Sequence, residues 1–205
     1  MHSGSSSGRI TTITKPSGTL RRQNLRDRAY DSLMVDFESR CAYCLQHAKR
    51  VGIFEIDHFN PTKKNDPIQE YANLFPSIRH CNNRKLAFWP RSQAERNTGK
   101  RLLNPRKEQD YNVQLLEIRA TGELIGTTPA ARFHIWKLDL NAPFLCKERR
   151  DSTELRALTT VVGRMSGLEP DVAQINNNVG TSAGFMISPI RYATSSEIEA
   201  YPNMR

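Results

Sequence analysis

Four short stretches between positions 41 and 85 carry side chains able to do chemistry: Cys41-Ala-Tyr-Cys44, Ile56-Asp57-His58-Phe59, Asn73-Leu74 and His80-Cys81-Asn82-Asn83-Arg84-Lys85. An imidazole with an intrinsic pKa of about 6.5 exchanges a proton with water at neutral pH, so His58 has the chemistry of a general base. Asp57 and Asn82 offer oxygen donors of the kind that suit Mg2+ or Mn2+. Two cysteines separated by two residues read as metal binding or redox chemistry before they read as a disulfide, and no βαβ pattern surrounds them to favour redox. Taken one at a time, each feature also has a plain structural reading. A lone strand histidine is usually hydrogen-bonded scaffold, Asn73 could be turn chemistry, and Arg84 with Lys85 could be a solvated face. The joint order and spacing carry the weight.

These side chains can meet only if the elements between them place them together. Leu25, Ala29, Leu33 and Phe37 recur at four-residue steps, which predicts a helix over about 20–37 that runs into a knuckle at Cys41–Cys44. Val51, Ile53 and Ile56 predict a strand over about 51–59, and residues 60–70, with Pro61, Asn65, Asp66 and Pro67, must loop. Neighbours on a strand point to opposite faces, so Asp57 and His58 can share a site only where the strand ends and bends. A short helix is expected from near Cys81 to before Pro90. Strands are expected over Val113–Arg119 and Phe133–Leu138, with a turn around Gly122. A longer helix is expected over 143–165, with Leu155, Leu158, Val162 and Met165 as its buried stripe. The whole reads as an α+β fold. It divides into a flexible basic arm over 1–19, a main domain over 20–166, and an irregular C-terminal extension over 167–205, suited to a partner-binding tail.

The charge is concentrated. The 205 residues carry 30 Lys+Arg against 21 Asp+Glu, a formal net charge of +9. Nine basic residues and one acid, Glu95, fall between Arg79 and Lys107, and five basic residues with no acid fall in the first 26 positions. Such a balance favours polyanionic partners. No apolar run approaches the roughly 18 residues that would span a bilayer, which excludes an integral membrane helix, and the N-terminal segment lacks the apolar core of a secretory signal. Four cysteines are too few for a disulfide scaffold in a chain of this size.

The segment resembles the HNH endonucleases, whose ββα-metal motif is a β-hairpin followed by a helix around one divalent ion. The family pattern of Asp-His, then Asn-Leu, then Cys-Asn-x-x-Lys is met by Asp57-His58, Asn73-Leu74 and Cys81-Asn82-Asn83-Arg84-Lys85, with a core motif over 40–90. Asn82 stands where many relatives have His. The resemblance implies His58 as general base, Asn73 orienting that base through the loop backbone, and Asp57 with Asn82 holding Mg2+ or Mn2+. It also implies Lys85 as a phosphate contact and Arg79, Arg84, Lys85 and Arg91 as nucleic-acid-binding residues. Relatives often carry a structural Zn2+ on two Cys-x-x-Cys knuckles, in a treble-clef-like arrangement. Here Cys41, Cys44 and Cys81 match, but Ile78 fills the fourth position, so the last ligand would come from His80, His47, Cys146 or water, or the site is lost. Leu102-Leu103-Asn104-Pro105, Gly122, Leu138-Asp139-Leu140-Asn141 and Arg149 resemble a branch encoded beside ATPases in bacterial anti-phage systems, the Septu and retron-associated nucleases. That likeness implies DNA as substrate, an ATPase partner, a role in antiviral defence and a cytoplasmic, bacterial setting. An idle zinc-ribbon-like binding module and an RNase using the same motif are the competing readings.

Overall fold

Ala29, Leu33 and Phe37 form one buried stripe, each at most 1% exposed. Ala29 and Leu33 lie on helix α1 (Leu25–Asp36), and Phe37 follows its last residue, in the computed structural model, which describes residues 19–21, 25–65, 68–106, 111, 113–152 and 190–201. The expected helix does not begin at Leu20. Thr19–Arg21 is instead strand β1, paired antiparallel with β3 (Ile68–Glu70), because ladder hydrogen bonds from a partner strand outweigh the weak helical preference of three residues. The remainder of the arm lies outside the described residues.

After α1 the chain turns sharply through Glu38 and Ser39, both at positive φ, into the cysteine knuckle. The Cys41 amide donates to the Gln46 carbonyl at 2.9 Å, and the Leu45 amide donates back to the Cys41 carbonyl at 3.0 Å. The strand expected from Val51 starts later. His47 caps a single helical turn, α2 (Ala48–Val51), with its ring accepting from the Lys49 amide at 3.1 Å. Gly52 at φ +82 ends that turn and Ile53 is left 79% exposed, so only β2 (Glu55–His58) is extended. It pairs antiparallel with β4 (Leu74–Ser77), setting Asp57 opposite Phe75 and His58 opposite Leu74. The intervening segment is a 3-10 turn at Pro61–Lys63, then β3, then a second 3-10 turn at Tyr71–Asn73. Helix α3 (Arg79–Lys85) follows β4 directly and completes a β-hairpin-helix unit. A short α4 (Gln93–Asn97) follows.

In the C-terminal half, β5 (Leu115–Glu117) pairs with β6 (Leu124–Gly126), not with Phe133–Leu138. The latter stretch lies in helix α5 (Pro129–Leu138). Phe133, Ile135 and Trp136 favour strands as residue types, but the buried positions Ala131, His134, Ile135 and Leu138 fall at helical steps. Pro129 occupies the first turn, and Thr128 caps it by accepting from the Ala131 amide at 3.2 Å. Gly122 turns the β5–β6 hairpin at φ +71, where a side chain would lie 2.2 Å from the Cys146 carbonyl oxygen. Residues 143–152 are helical (α6), and Leu155, Leu158, Val162 and Met165 lie outside the described residues. The C-terminal extension is not wholly irregular. β7 (Arg191–Tyr192) adds in parallel to β5, and α7 (Ser195–Ala200) follows, so that Ala193, Ile198 and Tyr201 pack on Leu116, Ile118 and Ile125.

The main core gathers Cys41, Tyr43, Cys44 and Cys81 with Leu103, Leu115, Leu124 and Leu138, so the knuckle lies at the joint between the two halves. A second cluster packs α1 on the hairpin through Ala29, Leu33, Phe37, Leu74 and Phe75. The architecture is α+β. Among the described residues no helix is long and apolar enough to cross a membrane.

Candidate active site

Two periodicities meet where β2 lies against α3. Positions two apart on a strand share a face, which puts Glu55 and Asp57 together. Positions three apart on a helix share a face, which puts Arg79, Asn82 and Lys85 together. The two rows pair in order. Arg79 Nε lies 3.1 Å from Glu55 Oε1, and Asn82 Nδ2 donates to Glu55 Oε2 at 2.6 Å. Lys85 Nζ lies 3.1 Å from each Asp57 carboxylate oxygen and donates to the His58 carbonyl at 2.7 Å. The Tyr43 hydroxyl also donates to Asp57, at Oδ2. The Asn82 hydrogen bond and then the Arg79 charge hold the Glu55 carboxyl below its usual range. Burial pushes the Lys85 ammonium down against the pull of Asp57, and burial and then the Asp57 charge push the Tyr43 phenol up.

This pairing changes two expectations. Lys85 is not a surface phosphate contact: it is the last residue of α3, fully buried, and neutralises Asp57. Asp57 and Asn82 lie on facing elements and are each already engaged, Asp57 by Lys85 and Asn82 by Glu55. The donor chemistry still suits a hard cation, with a carboxylate at Asp57 and, at Asn82, an amide oxygen left over once Nδ2 is committed to Glu55. Such a cation would share Asp57 with Lys85.

His58 ends β2 and is 8% exposed. Strand alternation turns it away from the Lys85 side. The chain leaving it is clamped by Asn73, whose Oδ1 accepts from the Asn60 amide at 2.7 Å and whose Nδ2 donates to the Asn60 carbonyl at 3.1 Å. The Asn73 carbonyl also accepts from the Phe59 amide at 2.9 Å. With Lys85 gripping its carbonyl, the backbone at His58 is fixed on both sides.

Cys41, Cys44 and Cys81 are buried, with their sulfurs all within 4.8 Å of one another. The Ile78 amide points at Cys41 Sγ from 3.5 Å. Burial pushes the thiols up, but at Cys41 hydrogen bonds from Cys44, Cys81 and nearby amides outweigh it and hold the group well below its usual range. Cys44 stays raised by burial, and Cys81 by its hydrogen bonds to Cys41 and Cys44. Three buried cysteine sulfurs this close together are a soft donor set that fits zinc. His80 does not join it. One helical step turns the ring aside, placing Nε2 3.3 Å from the Asp139 carbonyl and the ring edge-on to Phe144 at 5.0 Å. His47 is spent on its cap, and Cys146 contacts the Asn141 carbonyl at 3.4 Å. Of the expected nucleic-acid contacts, Arg79 pairs with Glu55, Arg84 pairs with Asp139 at 2.6 Å, and Arg91 is exposed.

Residues 41–88 match the HNH endonuclease family model. The match spans the knuckle, the β2–β4 hairpin and α3, and so covers every residue of the two clusters above. No curated protein and no solved structure matches the chain. Over those residues the chain is similar to a family of nucleases, whose domains act on nucleic acid and bind a divalent metal. Two members of its site escape a reading by motif. Tyr43 sits inside the Cys-x-x-Cys spacer, and Glu55 lies two positions before Asp57, where strand periodicity was the signal that could have found it.

Proposed function

We infer that the chain is a metal-dependent endonuclease that hydrolyses phosphodiester bonds in DNA, leaving 5′-phosphate and 3′-hydroxyl ends. The observation that carries this is the matched HNH segment, which sets His58 at the end of β2 with the following loop clamped by Asn73. His58 takes the proton from the attacking water. Asn73 and Lys85 hold its backbone so that the imidazole keeps one orientation. Asp57 and Asn82 would hold Mg2+ or Mn2+ through a carboxylate and an amide oxygen, and such an ion would supply stabilisation of negative charge on the phosphoryl oxygens. Tyr43 and Lys85 fix the Asp57 carboxylate in place. Arg91 and the exposed part of the basic segment meet the phosphate backbone, giving salt-sensitive binding with little base readout.

The landmarks shared with the anti-phage branch act as anchors in the fold. Asn141 exchanges two hydrogen bonds with the Leu124 backbone, at 2.8 and 3.0 Å, and the buried Arg149 donates to the Leu140 carbonyl at 2.6 Å. The resemblance of those landmarks to that branch, and not their contacts, supports reading the protein as a bacterial, cytoplasmic defence effector with an ATPase partner.

Replacing His58 by Ala is expected to abolish Mg2+- or Mn2+-dependent nicking of plasmid DNA while leaving the circular dichroism spectrum and DNA binding unchanged. A variant that nicks at the wild-type rate would end this assignment. One observation favours a second reading, an idle binding module: Asp57 is already compensated by Lys85 and Tyr43. Wild-type protein that binds DNA but shows no metal-dependent cleavage of plasmid, single-stranded DNA or tRNA would establish it. Cleavage of tRNA alone would make the enzyme an RNase.

A further inference from the structure

A cleft of about 510 Å³ opens beside the chain that leaves β2. One wall is Phe59 and Asn60, the two residues that follow the histidine, backed by the Asn73 clamp. Trp89 adjoins Phe59, and Arg96 and Arg101 from the basic segment continue the lining. The Trp89 ring stands edge-on to Phe59 with centroids 5.6 Å apart, and the Arg96 guanidinium lies 4.7 Å above the Trp89 ring centroid. Lys63 and Glu70 at the rim neutralise each other at 2.9 Å, so the net charge of the lining comes from the two arginines. Asn60 uses its side-chain oxygen on Thr62, accepting from the amide at 3.0 Å and from the hydroxyl at 2.7 Å. Its Nδ2 makes no hydrogen bond among the described residues.

An indole with a guanidinium over its ring, an amide donor nearby and a second arginine in the lining are the chemistry that holds one nucleobase with its phosphate. The volume suits a single nucleotide and not a duplex. A base in a paired helix presents neither of its faces, so only an unpaired one can enter. We propose that this cleft receives an unpaired nucleotide of the DNA substrate, next to the phosphate presented to His58. The protein therefore selects strands that are single, bulged or readily opened at the cut. The inference rests on the nuclease reading only for which phosphate is cut, since the cleft can be tested by binding alone.

The experiment uses the full chain carrying His58→Ala and three oligonucleotides of equal length containing 2-aminopurine: a fully paired duplex, a duplex with the 2-aminopurine as a single bulge, and a single strand. The bulged and single-stranded probes are expected to bind roughly tenfold tighter than the paired one, with 2-aminopurine fluorescence quenched by stacking. Trp89→Ala should lose the quench and roughly that tenfold advantage while binding the paired duplex as before. Arg96→Ala, which leaves the Trp89–Phe59 packing intact, should reduce the advantage in the same direction and guards against a Trp89 variant that fails to fold. Tight binding of the bulge but not the single strand would mean the nucleotide is extruded from a duplex, and equal binding of both would mean a pre-existing single strand; either supports the cleft. Equal affinity for all three probes, or a loss in both variants that is the same for paired and unpaired DNA, would overturn it. Selective binding without any metal-dependent cleavage by the wild type would sink the nuclease reading and leave the cleft standing.

Discussion

Lys85 shows most clearly how a single side chain can change role between motif and fold. In the motif it is a charge on a polar helix, and in the molecule it is a buried counter-ion with three oxygen partners, two on Asp57 and one on the His58 backbone. Removing one member of a buried pair leaves the other charge uncompensated, so Lys85→Met is expected to cost about 3–5 kcal/mol. Arg84→Met, one position earlier and half-exposed, should shift stability by no more than about 0.5 kcal/mol. Urea midpoints of the two variants check the contrast, and equal midpoints would mean the Lys85 cluster contributes nothing. At this scale the sequence was partly legible. Asp57, His58, Asn73 and Asn82 stood out by type and spacing. Glu55 did not, because a carboxylate on a strand looks like any solvated residue until a helix arrives to face it. Nor could Arg79-His80-Cys81-Asn82-Asn83-Arg84-Lys85 reveal which of its polar residues would be buried, since its only apolar mark is Cys81.

Among elements, the readable ones were those whose own pattern decides their state. The stripe of Ala29, Leu33 and Phe37 made α1 plain, and the hairpin and α3 followed from the motif. Phe133–Leu138 misled because strand-forming residue types were set at helical spacing, and the cap at Thr128 and Pro129 lies outside the stretch itself. β1 and β7 were illegible for a different reason: each is two or three residues long and exists only through a distant partner. The docking of the last segment is electrostatically tuned. Glu197 takes two hydrogen bonds from Arg191 and closes a capping box with Thr194, and these hold its carboxyl down at about 2, from an ordinary 4.5. A carboxyl depressed by folding stabilises the folded form above its unfolded pKa and loses that contribution as pH falls through the folded value. Amide exchange at Ile198 and Tyr201 should therefore accelerate as pH drops from 4.5 toward 2, after correction for intrinsic rates, and Glu197→Gln should remove the dependence. A pH-independent correction-normalised rate in the wild type would show that the pair does not hold the segment.

For the whole molecule, the cysteine knuckle and the charge distribution matter most. The three sulfurs sit in the main core, where leucines from β5, β6 and α5 converge with Tyr43. Metal at that point would tie the hairpin-helix unit to the rest of the fold, and its binding energy becomes folding energy. Purified protein is expected to carry one zinc per chain by elemental analysis. Stripping it with a strong chelator should lower the thermal midpoint, and Cys81→Ser should do both at once. Zinc-free protein whose midpoint is unchanged by Cys81→Ser would instead make the cysteines small packed hydrophobes. The dense basic stretch, by contrast, disperses once folded. Lys85 is buried on Asp57, and Arg106 is buried 3.5 Å from Asp36 with the Phe37, Tyr71 and Phe75 rings about it. Arg84 and Lys100 pair with Asp139 and Glu95. Linear charge density thus overstated the positive charge left at the surface.

The parallel addition of β7 to β5 joins positions 191 and 116. The knuckle, the β2–β4 hairpin and α3 are all complete by position 85. As the ribosome delivers the polypeptide, everything that grips His58 is available for assembly long before the closing strand emerges. Until then β5 waits with one side of its backbone open. The molecule therefore passes through a stage in which the segment around His58 has been made while its neighbouring sheet is unsealed, and a protein that engages that bare edge during translation would reach the chain before it is finished.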